Sequence, residues 1–122
     1  MIKFAKLLVE EFTTPSPLCV APATTVEELI NLMESHGYRH ILIEDDGDVV
    51  GVVSQRDIKV ASQIEGGLSL RAGDIMTGNP YTVSSQDSIA DVALEMSKRK
   101  IGSAVVKDGE YLGIFTSTDA LN

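Results

Sequence analysis

The chain has 122 residues, 43% of them hydrophobic, which suffices for one compact domain with a core. No apolar run approaches the roughly 18 residues of a membrane span. The net charge of −8 repels phosphate polymers and argues against nucleic acid as a partner. One cysteine, Cys19, excludes an internal disulfide, and with only His36 and His40 beside it there is no ligand set of zinc spacing, so no metal is expected.

The opening MIKFAKLLVEEF lacks the uninterrupted apolar stretch and small-residue cleavage site of a signal peptide, so a cytoplasmic location without membrane contact is expected. Phe4, Leu7, Leu8 and Phe12 fall on one helical face. Residues 1–10 are therefore expected as a helical extension that covers an open face, joins a dimer, or continues a preceding segment.

PLCVA, Pro17 to Ala21, alternates as a strand does, with Cys19 as a small packed hydrophobe. Val26, Leu29, Ile30 and Met33 then follow the i, i+3, i+4, i+7 stripe of an amphipathic helix. Thr24 or Thr25 with Glu27 or Glu28 provides its start signal, and Gly37 its stop. HILIE, a turn carrying Asp-Gly, and VVGVVS read as a hairpin. Ile58, Ala61 and Ile64 can line a short helix ended by Gly66-Gly67, after which the chain to Gly73 reads as a linker.

The same order then returns. PYTVSSQDSIADVALEM, Pro80 to Met96, repeats PLCVAPATTVEELINLM, Pro17 to Met33, 63 residues later, with Ile89, Val92, Ala93 and Met96 as the second stripe and Asp87 as its start signal. SAVVK and YLGIFT form the second hairpin, one residue shorter before its glycine, Gly113 against Gly51. The expected organisation is a first repeat at 11–65, a linker at 66–73 and a second repeat at 74–122. Each repeat alone leaves one face of a small sheet bare, so two copies are expected to pack face to face about a pseudo-twofold axis.

Both hairpins run into Ser/Thr-x-x-Asp, as GVVSQRD and GIFTSTD. One reading is a helix cap, the hydroxyl and carboxylate satisfying orphan backbone N–H groups. After Asp57 a helix follows; after Asp119 only Ala120, Leu121 and Asn122 remain in the sequence, too few for a turn. The other reading is a ribose site, because an ionised Asp accepts from both hydroxyls of a vicinal diol while a neighbouring Ser or Thr hydroxyl both donates and accepts. Gly51 and Gly113 allow a close backbone approach or a bulge.

HGYRHILIEDDGDVVGVVSQRDI, and more loosely KRKIGSAVVKDGEYLGIFTSTDA, resemble the two halves of a cystathionine-β-synthase (CBS) domain pair, the regulatory unit called a Bateman module. DIMTGNPYTVSSQDSI is similar to the opening of such a domain, and EEFTTPSPLCVAPATTV is a looser version with Phe12-Thr13 where Met-Thr is usual. The resemblance implies an α/β (α+β) fold of two β-α-β-β-α repeats and a cleft between them with two sites for AMP, ADP, ATP or S-adenosylmethionine. One pocket would join Thr116 and Asp119 to Leu18, Arg39 and His40; the other would join Ser54, Arg56 and Asp57 to Tyr81, Gly102 and Ser103.

In this scheme Arg39 and His40 neutralise a phosphate where Gly102 and Ser103 cannot, which leaves Arg56 as a cation for the second pocket. The Asp119 pocket is then expected to hold the more phosphorylated ligand. Tyr81 either stacks on adenine or packs. Two functions remain open: a ligand sensor read by an unidentified regulated protein, or a homodimerising interaction module with empty pockets. No P-loop, nucleophile elbow or Ser-His-Asp arrangement is suggested, so neither catalysis nor a required cofactor is expected.

Overall fold

A computed structural model describes residues 7–117. Asp119 and most of the expected N-terminal extension, Phe4 included, lie outside them. The chain divides into two units, one formed by Leu18–Pro80 and the other by the residues up to Pro17 together with those from Tyr81 onward. Pro17 and Pro80 are equivalent positions of the repeat, so both boundaries fall at the same point of the pattern.

The Leu18–Pro80 unit carries a four-stranded sheet in the order β2-β3-β4-β5, built from β2 (Cys19–Val20), β3 (His40–Asp45), β4 (Asp48–Ser54) and β5 (Thr77–Gly78). The other unit repeats it as β6 (Thr82–Val83), β7 (Ser103–Asp108), β8 (Tyr111–Thr116) and β1 (Thr14–Pro15). In each, the two short outer strands come from different repeats. β5 opens the second repeat yet pairs with β4 of the first, and β1 opens the first yet pairs with β8 of the second. The opening segments are thus exchanged.

Helix α1 (Val26–His36) buries Val26, Leu29 and Met33, with Ile30 partly covered, and α4 (Ile89–Arg99) buries Ile89, Val92 and Met96. Both stripes therefore face a core, as their spacing requires. Thr25 caps α1 in a reciprocal box: its Oγ accepts from the Glu28 amide at 3.2 Å and its amide donates to Glu28 Oε2 at 3.4 Å. The cap of α4 is Ser88, whose side chain accepts from the Asp91 amide. Asp87, expected at that position, instead accepts from the Ser84 amide at 3.0 Å and closes the preceding turn.

The core of the Leu18–Pro80 unit joins those α1 residues to Ile41, Ile43 and Val53 of the sheet and to Ile58 and Ala61 of α2 (Gln55–Ser62). The other core joins α4 to Val83, Ala104, Val106 and Phe115, and includes Val9 from the N-terminal segment. That segment meets the expected helical face differently: Leu8 bridges to Ser88, and Val9–Phe12 forms a single 3-10 turn. Ile64 does not line α2 either; it is 55% exposed because the helix stops at Ser62, before the next turn would bring residue 64 inward. Gly67 takes the inner place, against the Ala61 carbonyl, where a Cβ would collide.

The stretch read as a linker is folded onto its unit. A 3-10 turn at Gly67–Ser69 leads to α3 (Ala72–Ile75), and the Leu70 carbonyl accepts from the Val26 amide at 2.8 Å. The extra residue of the first hairpin has a place as well. Ile43 pairs with Gly51 and Glu44 with Val49, so Val50 is bulged out of the ladder, whereas the shorter β7/β8 pair runs without interruption.

Both strand glycines mark close approaches. A Cβ at Gly51 would strike the Met76 side chain, and one at Gly113 would strike Thr13 Cγ2 and lie 3.1 Å from the Thr14 carbonyl oxygen. These are the residues with which the exchanged openings cross the sheet edge.

Candidate functional site

In a sheet where β2 and β3 run parallel and β4 antiparallel to β3, the starts of β2 and β3 and the end of β4 share one edge. Leu18, just before β2, accepts from the Leu42 amide at 2.9 Å. His40 begins β3 directly opposite Ser54, which ends β4. The Arg39 carbonyl accepts from the Gln55 amide at 2.8 Å, tying the residue before β3 to the first residue of α2.

Ser54 and Asp57 form a second reciprocal box: Ser54 Oγ accepts from the Asp57 amide at 3.1 Å, and the Ser54 amide donates to Asp57 Oδ2 at 2.9 Å. The capping reading of Ser-x-x-Asp is therefore correct for the first repeat. It does not consume the pair, since the box uses Oδ2 and leaves Oδ1 and the serine O–H outside it. The cap holds the carboxylate and the hydroxyl side by side at the sheet end, half-buried.

The other unit has the same frame. The Tyr81 carbonyl accepts from the Val105 amide at 2.8 Å, Ser103 faces Thr116 in register, and the Ser117 amide donates to the Gly102 carbonyl at 2.9 Å. Asp119 falls outside the described residues. The structure thus gathers Leu18, Arg39, His40, Ser54, Arg56 and Asp57 in one unit and Tyr81, Gly102, Ser103 and Thr116 in the other.

Tyr81 packs against its unit's core, and the Arg99 guanidinium lies 4.4 Å from its ring centroid. Arg99 Nε in turn donates to Glu95 Oε2 at 2.7 Å, a hydrogen bond that holds the Glu95 carboxyl below the usual range. Burial, reinforced by the Glu95 carboxylate, pushes the Tyr81 phenol above its ordinary value. Sequence reasoning did not bring Arg99 to Tyr81, although the Glu95/Arg99 i, i+4 pair was visible as a signal.

A second missed feature is Asp108 at the end of β7. Its carboxylate accepts from the Ser85 amide at 2.6 Å and from Ser84 Oγ at 3.1 Å, and the hydrogen bonds from Ser85 hold its carboxyl below the usual value. Among the described residues, no three His, Cys, Asp or Glu stand together as a metal site, and no helix is long and apolar enough to cross a membrane.

The profile of the CBS domain family matches residues 9–63 and 72–122. The chain belongs to that family. Its two tandem CBS repeats carry, among the described residues, β2-α1-β3-β4-α2 in the first and β6-α4-β7-β8 in the second. An inosine-5′-monophosphate dehydrogenase of Korarchaeum cryptofilum is 33% identical over 112 residues, covering 90% of this chain and 23% of that protein. The chain spans between 22% and 32% of the length of the first curated relatives that it matches.

Among solved structures, the CBS domain pair of MJ0100, in complex with 5′-methylthioadenosine and S-adenosyl-L-methionine, is 27% identical with a TM-score of 0.81, covering 94% of this chain and 93% of that one. CBSX2 in complex with AMP is 26% identical with a TM-score of 0.76, covering 93% of each chain.

Proposed function

We propose that this CBS pair is a regulatory module that binds an adenosine-containing ligand, from the class of AMP, ADP, ATP and S-adenosylmethionine. The observation that carries the reading is the Ser54/Asp57 box, in which the helix cap leaves a carboxylate oxygen and a hydroxyl proton for a ribose diol. Thr116 and Asp119 are the equivalent pair of the second repeat. The adenosine ligands of the MJ0100 and CBSX2 structures support the ligand class. Leu18 and Tyr81, at equivalent strand starts, and Gly102 and Ser103, at the entry to β7, are among the groups assigned to flank base and phosphate.

The reading is not catalytic: Asp57 and Asp119 occupy equivalent positions, as duplicate binding groups do, rather than environments that drive an acid and a base apart. Regulation follows if the ligand binds two arrangements of the chain with different affinity and a regulated protein reads the difference.

The test is titration calorimetry of the nucleotide-free chain with AMP and 2′-deoxy-AMP. The deoxy ligand binds about 1–3 kcal/mol more weakly, since its lost hydroxyl leaves a carboxylate short of a donor. That difference disappears in the Asp57→Ala/Asp119→Ala variant. Equal affinity of the unaltered chain for both ligands overturns the ribose assignment.

A second reading, a homodimerising interaction module, is favoured by one observation: Val60, Ile64, Leu68 and Leu94 are large apolar side chains 45–59% exposed. Sedimentation equilibrium distinguishes it, because a dimer that forms without ligand and binds none of the four adenosine compounds fits only this reading.

A further inference from the structure

The segment from Leu7 to Pro15 is docked along its length on the unit that contains Tyr81 and the residues after it. The Leu7 carbonyl accepts from the Ile89 amide at 2.8 Å, and the Val9 and Glu10 amides donate to the Asp87 and Ser85 carbonyls at 2.9 and 3.3 Å. Val9 is fully buried, Leu7 and Phe12 pack on the same core, and Thr14 and Pro15 pair with Ile114 and Gly113 of β8. This strap therefore supplies both an outer strand and part of a core.

Its covalent route differs from its packing. Among the described residues the strap joins the rest of the chain only through Ser16-Pro17, which lead to Leu18, the first residue of the other unit. The counterpart segment lies 63 residues on: the Leu70 carbonyl accepts from the Val26 amide at 2.8 Å, and the Ala72 and Gly73 amides donate to the Thr24 and Pro22 carbonyls at 2.6 and 2.9 Å. That segment follows α2 directly, so the chain ties it to the unit on which it docks. The strap has no such tie among the described residues.

The hinge of the strap is also held in a costly conformation. Ser16 has φ 52° directly before Pro17. The left-handed region is unfavourable for a side chain other than glycine, and a following proline drives its predecessor towards extended backbone. Asn79, the counterpart before Pro80, has φ 50°, but asparagine is one of the residues that tolerate this region. Ser16 is the less well matched of the two.

We propose that the strap is exchangeable, and that two copies of this chain form a closed symmetric dimer in which each strap, on an extended Ser16-Pro17 hinge, occupies the Tyr81 unit of the other copy. The docked strap keeps the same hydrogen bonds and apolar contacts after exchange, so the association needs no new interface. It gains the relief of Ser16 and loses the freedom of two independent copies, which makes the dimer depend on concentration. Neither the adenosine reading nor the exposed apolar side chains enter into it.

Leu8 and Ser88, an antiparallel bridge pair, mark the strap and the surface that receives it. The full chain carrying Leu8→Cys/Ser88→Cys, with Cys19→Ser to remove the remaining thiol, is refolded from urea under reducing conditions over about a hundredfold range of concentration, then oxidised and run on a non-reducing denaturing gel. Exchange puts the two thiols of each pair on different chains, so the share of covalent dimer rises by about threefold or more across the range. Ser16→Gly, which relieves the hinge of the closed form, lowers that share by about twofold or more, and variants carrying one of the two substitutions give no such band. A monomer-sized oxidised band at every concentration overturns the proposal, even where sedimentation equilibrium finds a dimer, because a dimer without exchange closes each disulfide within one chain. A dimer share that Ser16→Gly leaves unchanged overturns it as well. Should the bridge-pair variant fail to fold, Glu10→Cys/Gln86→Cys in the same Cys19→Ser background replaces it, both positions being exposed and hydrogen-bonded to each other at 3.0 Å, with a short bis-maleimide as the link and the same outcomes.

Discussion

Among the described residues, the two CBS units of this chain share strand order, pairing and the placement of α1 and α4, and they differ at the points where the backbone turns. The first helix of the Leu18–Pro80 unit stops on Gly37 with φ 72°, whereas its counterpart α4 stops on Lys100 with φ 57°. The first hairpin bulges at Val50 and turns through Asp46-Gly47, both with positive φ; the second has no bulge. Asp108 clamps Ser84 and Ser85, while the equivalent positions, Ala21 and Pro22, offer no hydroxyl and, at Pro22, no amide proton. The lesson is that one β-α-β-β frame accepts different local chemistry at each corner, provided that the facing strand ends, His40 with Ser54 and Ser103 with Thr116, stay in register.

The comparison can be broken most sharply at the strand glycines. Gly113→Ala pushes a methyl against branched Thr13 and the Thr14 backbone, while Gly51→Ala meets the unbranched Met76 side chain, which adapts more readily. Overpacking of this kind costs about 1–3 kcal/mol, so Gly113→Ala is expected near the upper figure and Gly51→Ala near the lower. Urea denaturation of both variants checks the order, and a larger loss at Gly51 contradicts it.

A smaller effect, of opposite sign, belongs to the helix stops. The left-handed conformation costs a non-glycine residue about 1–2 kcal/mol, part of which glycine returns through its freer unfolded chain. Lys100→Gly is therefore expected to stabilise the protein by about 0.5–1 kcal/mol, and Gly37→Lys to destabilise it by a similar amount. Thermal unfolding of the pair sharpens the claim that the two corners are the same corner.

The smallest difference is pH-dependent. Hydrogen bonds from Ser85 lower the Asp108 carboxyl in the folded state, so its contribution is complete above the ordinary aspartate value and is lost as pH falls through the lowered one. Asp108→Asn should then reduce stability at neutral pH and flatten its decline in acid, measured by urea midpoints across that range. An unchanged acid limb removes Asp108 from the account.

Much of this frame was legible residue by residue. The apolar stripes of α1 and α4, a Thr/Glu start for α1, the Gly37 stop and both hairpins follow from short-range periodicity and capping chemistry, which act within about four residues, while the structure selects Thr25 and Glu28 from the candidates. Ile64 misled because periodicity continues on paper after the backbone has left the helix. Asp87 misled because an acid next to a serine can cap either the turn before it or the helix after it, and packing selects. In the candidate site, the types of Ser54, Asp57, Arg39 and His40 spoke for themselves, whereas their grouping did not.

What the sequence determined alone is the doubled β-α-β-β order, the core faces of α1 and α4 and the chemical identity of the strand-end motifs, because each depends on neighbours in the chain. What the tertiary structure decided is which strand each two-residue opening joins, so that Thr14–Pro15 pairs with the second repeat and Thr77–Gly78 with the first. It also brought Arg39 and Arg56 to one strand end. The reason is physical: a strand of two residues has too few hydrogen bonds to choose a partner locally, and only the packing of distant segments, through crossings such as Met76 on Gly51 and Thr13 on Gly113, fixes where it goes.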